Sequence, residues 1–147
     1  MPTYTAVPLA WEEQTAVNFT HKITITHTNM DSGWTSGSAL GIFTVAANQV
    51  VARAAFRLVT AFSGGGTTAL AFKLGDGNDD DRFSVSKSVH NNDTPVTAWS
   101  SNAATLPYAY TGADTVDAIF TATDGTLAGL TAGEINIYLQ VVDLGKV

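Results

Sequence analysis

The chain has 147 residues, 45% of them apolar and 14% charged, with a formal net charge of −6 and no cysteine. That is the length and composition of one globular domain, and it excludes a disordered chain, a disulfide-stapled scaffold and a cysteine-based metal site. The 13 Asp and Glu against 7 Lys and Arg also argue against a nucleic-acid footprint: the chain repels phosphate, and the pair Arg53 and Arg57 is too small a basic patch.

Residues 1–17 show no clear periodicity, and Pro2 and Pro8 oppose a helix there. An extended N-terminal arm is expected, with Trp11 as an anchor and Glu12, Glu13 and Gln14 available for one helical turn. Over 18–28, Phe19, His21, Ile23, Ile25 and His27 alternate with Thr20, Lys22, Thr24, Thr26 and Thr28, the period of two that marks a strand. A turn at 29–33 and a short apolar strand at 39–46 follow. Residues 50–62 fit both helical and strand spacing. The run ends in Val59-Thr60-Ala61-Phe62 and then Gly64-Gly65-Gly66, so a strand is favoured, with 67–74 returning as its hairpin partner. Residues 75–95 read as loop, with Phe83, Val85 and Val89 tucked beneath the domain, and 96–99 as a short strand ending at Trp99. A strand is expected within 108–123, then a turn at Asp124-Gly125 with Leu127 and Leu130 as plugs. In the last strand, 134–144, Ile135, Ile137, Leu139 and Val141 share one face. The scarcity of Lys and Glu and the abundance of Thr agree with strands over helices. Seven or eight strands between turn signals predict an all-β fold, a jelly-roll-like antiparallel β-sandwich. The domain is expected over 18–147, with 1–17 as its arm.

Few patterns carry chemistry. Asp76, Asn78 and Asp80 have the every-second-residue spacing of a calcium loop, but Asp81 stands where the glycine is needed and no glutamate closes the set. A surface Asx turn is the simpler expectation, and no metal or other cofactor is assigned. His21 and His27 lie six residues apart on one strand, roughly 20 Å, too far to share an ion. No nucleophile elbow or cysteine nucleophile occurs, and Gly64-Gly65-Gly66 lacks the Lys-Ser/Thr of a phosphate cradle. No catalytic residue is assigned. Trp11, Trp34 and Trp99 suit a core or a subunit interface, where Trp is enriched, more than a sugar-stacking platform.

The stretches 56–66, 70–83 and 109–116, followed by Leu127, Leu130, Thr131-Ala132-Gly133-Glu134 and an aromatic-aliphatic strand, together resemble small structural proteins of tailed bacteriophages, of the capsid decoration (cement) type. The resemblance covers about residues 50–145. It implies a β-sandwich on the outer capsid surface of a virion, made in the host cytoplasm. It also implies a homo-oligomer, with a trimer favoured, that binds between subunits of the major capsid protein. No catalytic residue comes with it. Tyr4, Val7, Leu9, Trp11, Trp34 and Trp99 are the residues expected at capsid or subunit interfaces. The competing expectation is a head-fibre or tail-associated module that recognises a host glycan through Trp34 or Trp99. Neither involves nucleic acid or a membrane.

Overall fold

The computed structural model describes residues 6–8, 18–30, 33–92 and 106–147. Within them lie nine strands: β1 (Val7–Pro8), β2 (His21–Thr26), β3 (Ala39–Val45), β4 (Gln49–Gly64), β5 (Ala69–Asp76), β6 (Ser84–Ser88), β7 (Tyr108–Ala109), β8 (Asp114–Thr123) and β9 (Leu130–Asp143). Three short 3-10 turns accompany them, at His27–Met30, Leu127–Gly129 and Leu144–Lys146. The all-β sandwich expected from the sequence is the fold observed.

One sheet has the order β1-β2-β9-β4-β7 and the other β3-β8-β5-β6, with every neighbour antiparallel. The pairing is nested: β2 with β9, β3 with β8, β4 with β7 and β5 with β6, as in a long antiparallel ribbon rolled onto itself. Two lateral seams, β4–β9 and β5–β8, close each sheet.

Alternation explains which faces meet. In β9, Ile135, Ile137 and Leu139 are fully buried while Asn136, Tyr138 and Gln140 point the other way and stay half-exposed. Ile23 and Ile25 of β2, Phe56 and Leu58 of β4, and Leu70, Phe72 and Leu74 of β5 complete the core with Val116, Ala118 and Phe120 of β8. Aromatic rings stitch the sheets together. Phe56 meets Phe72 edge-on at 4.9 Å, and Phe62 meets Phe120 at 5.5 Å. Such contacts contribute about 0.5–1.5 kcal/mol each beyond the area they bury.

Four expectations are corrected. First, 50–62 and 67–74 are both strands, but they form no hairpin: β4 and β5 lie in different sheets. Gly64, Gly65 and Gly66 all have positive φ (105°, 64° and 73°), and this turn carries the chain from one sheet to the other instead of folding it back in plane. Second, the loop expected at 75–95 contains an edge strand, β6, whose Ser-rich sequence hid it; Phe83 and Val89 are buried on either side of it while Val85 is exposed. Third, Phe19 does not share a face with Ile23. It packs on the outward side of the sheet with Ala55 and Tyr138, because the chain bends at Thr20, before β2 begins at His21, and the alternation does not extend back to Phe19. Fourth, Leu130 begins β9, so this strand is longer than expected and only Leu127 acts as a plug. The strand expected at 96–99 lies outside the described residues.

Candidate functional site

The polar side chains of β2, β9 and β4 come together on the outward face of the five-stranded sheet. The register sets Lys22 beside Tyr138 and Tyr138 beside Ala55. The next rank is Thr24, Asn136 and Arg57, and the next Thr26, Glu134 and Thr60. Arg53 stands beside Gln140. The ranks are held by local bonds: Thr24 Oγ1 donates to Asn136 Oδ1 at 2.6 Å, and the Arg53 guanidinium sits 5.3 Å above the Phe19 ring. Arg53 and Arg57 are both exposed and four residues apart on one strand, which separates them by about 13 Å. Lys22 stands two strands away, roughly 10 Å across the sheet.

Three of the chain's seven cations therefore share a face whose one carboxylate among the ranked residues is Glu134. Among the described residues none of the three makes an ion pair. A face of Arg, Lys, Tyr, Asn and Thr on a sheet is suited to a macromolecular partner, since Arg and Tyr are enriched among the residues that carry binding energy where two proteins meet.

At the end of this face a shallow groove of about 330 Å³ is lined by Thr26, His27, Thr28, Thr60, Thr131 and Glu134, together with Ala132 and Gly133. His27 is not in β2, which stops at Thr26, but in the 3-10 turn that follows. His21 contacts Phe43, ring to ring at 5.0 Å, and burial lowers its pKa. His90 is buried elsewhere, its Nδ1 accepting from the Asn92 amide at 3.1 Å.

The opposite sheet carries the acidic end of the molecule. Asp76 is buried, and its carboxylate is fully engaged: Oδ1 accepts from the amides of Asn78 (3.0 Å) and Asp79 (2.9 Å), Oδ2 from Arg82 Nε (2.5 Å) and Tyr110 Oη (2.9 Å). The Arg82 guanidinium in turn stacks 3.8 Å above Tyr108. Burial works against the Arg82 charge, but the bond to Asp76 and its negative field outweigh it and hold the group above its ordinary pKa. Burial, then the same carboxylate, pushes the Tyr110 hydroxyl up, so it stays a donor. This cluster is a brace that shapes the loop.

Asp76, Asn78 and Asp80 thus do not converge on a cation. Asp76 is spent on protein donors, Asn78 Nδ2 donates to Asp114 at 3.1 Å, and Asp80 pairs with Lys73. Asp79, Asp80 and Asp81 do bring carboxylate oxygens within 4.8 Å of one another at the surface. Their crowding shows in Asp81, whose pKa is raised by its hydrogen bond with Asp79 and by the charges of Asp79 and Asp80. The loop folds over the outer face of its sheet, because a Cβ on Gly75 would lie 2.2 Å from the Asp79 carbonyl oxygen. Beneath it Asp117 is buried, its pKa raised by burial and by Asp114 and Asp76, with only the Thr115 hydroxyl (2.7 Å) opposing the shift.

Of the residues expected at an interface, Trp34 belongs to the core, where its ring meets Phe120 edge-on at 5.1 Å. It offers no open face to a sugar or a partner. Val7 is exposed in β1, opposite Lys22 on the sheet edge. Tyr4, Leu9, Trp11 and Trp99 lie outside the described residues. The cationic face itself was half visible in the sequence, as the polar sides of two alternating strands. What the sequence lacked was the neighbourhood of β2, β9 and β4, which comes from pairings 66 or more residues apart in the chain.

No protein family, curated protein or solved structure matches this chain.

Proposed function

We propose that this chain is a non-enzymatic structural protein of a tailed-phage virion, which decorates the capsid and stabilises it by binding between major capsid subunits. The observation that supports this reading most is the outward face of β2, β9 and β4, which is rich in Arg, Lys, Tyr and Asn. The nested pairing of the strands also agrees with a jelly roll, the winding that viral capsid domains share. The titratable groups held most tightly, Asp76, Arg82 and Tyr110, serve to fix a loop. β1 lies on the edge of β2 as an added strand, the way an extended arm attaches to an exposed sheet edge. In this reading residues 1–17 reach a neighbouring shell subunit.

Cosedimentation with shells stripped of the protein tests this. Full-length chain is expected to pellet with the particles, and a chain lacking 1–17 to stay in the supernatant while keeping its strand-type circular dichroism. Equal pelleting of both would remove the arm from the account, and pelleting of neither would remove the decoration role.

The shallow groove beside His27 and Glu134 favours a second reading, a fibre or tail module that binds a host glycan. Hydroxyls, an imidazole and a carboxylate suit a polar sugar. Trp34 does not serve it, being buried. Glycan-array binding that disappears in His27→Ala and Glu134→Gln would support this reading over the first.

A further inference from the structure

We propose that the outward face of β2, β9 and β4 receives an extended acidic segment of a different protein, laid along β4 with its carboxylates on Arg53 and Arg57. This deepens the docking role proposed for that face and rests on it, adding the chemistry of the partner. Lys22, Arg53 and Arg57 against the single carboxylate of Glu134 give the ranked residues a local charge of +2. The chain as a whole carries −6, which leaves −8 for everything else. An acidic partner is thus attracted by this face and repelled, on balance, by the rest of the molecule. At physiological ionic strength the screening length is about 8 Å, so the groups on the face decide the contact and the net charge does not. Among the described residues the three cations make no ion pair, so their charges are not already neutralised within the chain.

The spacing narrows the partner further. Arg53 and Arg57 are exposed on the same side of one strand, about 13 Å apart. In an extended segment, side chains four residues apart emerge on one side at that same separation, so acidic residues at i and i+4 meet both guanidiniums. The planar fork of Arg suits this, because it grips the two oxygens of a carboxylate together. Tyr138 stands beside Ala55, midway between the two arginines in the register, and is half-exposed. It offers an aromatic surface to the middle of the segment. A nucleic acid fits less well. Duplex DNA brings one charge per about 1.7 Å of its axis, and three separated cations meet few of them while the remaining −8 opposes the rest.

Fluorescence anisotropy of a labelled short peptide of alternating Glu and Thr, titrated with the full chain, tests this. At about 0.1 M salt wild type is expected to bind the peptide and not its Gln counterpart, and to release it near 1 M, where the screening length falls to roughly 3 Å. Arg57→Glu is expected to weaken binding at least ~tenfold. Its side chain is exposed and outside the Arg53–Phe19 contact, so the fold is kept. Lys87→Glu makes the same change of net charge on β6 of the other sheet and should bind as wild type does. Absence of binding at 0.1 M, equal binding of the Gln peptide, or an equal loss in Lys87→Glu would each overturn the inference. Tighter binding of an oligothymidylate than of the peptide would overturn it too, by giving the face to a nucleic acid. Cosedimentation with stripped shells separates this inference from the virion reading: an Arg57→Glu chain that pellets as wild type does would defeat the acidic contact and leave the decoration role standing.

Discussion

At Asp76 a single buried carboxylate organises two stretches of chain. It takes two amides of its own loop, the guanidinium of Arg82 and the hydroxyl of Tyr110, so every lone-pair direction is used. Removing one partner from such a set leaves uncompensated buried charge, which costs about 3–5 kcal/mol. Asp76→Ala is expected to lose that much in urea unfolding, and Tyr110→Phe about 1.5–3 kcal/mol, the range for a bond to a charged group. Asp117 behaves in the opposite way. Burial raises its pKa in the folded chain, so between its ordinary value of 3.8 and the raised one the folded state binds more protons than the unfolded state. Its contribution to stability therefore falls as pH rises through that window, and the full penalty applies at neutral pH. Asp117→Asn keeps an acceptor for Thr115 and removes the charge. It is expected to unfold at higher urea than wild type at neutral pH, with the advantage vanishing as pH drops to 3.8 and below.

Strand pairing and turn geometry govern what happens one level up. The loop 76–82 can lie on β5 only because position 75 has no side chain, a Cβ there coming 2.2 Å from the Asp79 carbonyl. Gly75→Ala is expected to cost about 1–3 kcal/mol, as overpacking does, and to lift the acidic loop off its sheet. Faster amide exchange confined to residues 76–82 would mark that release; a variant with wild-type stability and exchange would contradict the packing described. Much of this level was legible in the sequence. Alternation placed β2, β8 and β9 and chose the inward side of β9, because a strand with one buried face must repeat every two residues; an apolar run placed β3, and the glycines after Phe62 decided for a strand at β4. Three things were not legible. Gly64-Gly65-Gly66 announces a reversal but not whether the chain stays in its sheet, since positive φ serves both paths. The edge strand Ser84–Ser88 buries so little that its residues are polar and resemble a loop. Phe19 reads as inward by parity, but the bend at Thr20 ends the alternation before it and leaves it outward. The acidic loop was visible as a cluster, while its purpose was hidden in Tyr108 and Tyr110, which approach from elsewhere in the chain to meet Arg82 and Asp76.

Across the whole molecule, charge is sorted by side. Lys22, Arg53 and Arg57 mark the outer surface of one sheet and the Asp-rich loop marks that of the other, with an aromatic seam between them. A sandwich polarised in this way presents two chemically distinct outer faces, which would suit a part placed in a defined orientation within an assembly. That is the property a capsid decoration protein needs, and it is why the virion reading is preferred over the glycan-binding groove. The most direct test of that proposal is the copy number of this chain, by quantitative mass spectrometry, in purified tailed-phage particles produced from a genome that carries its coding sequence. The account predicts a number comparable with that of the major shell protein. A few copies per particle would place the chain in a tail or fibre instead, and its complete absence from the particles would contradict the virion role altogether.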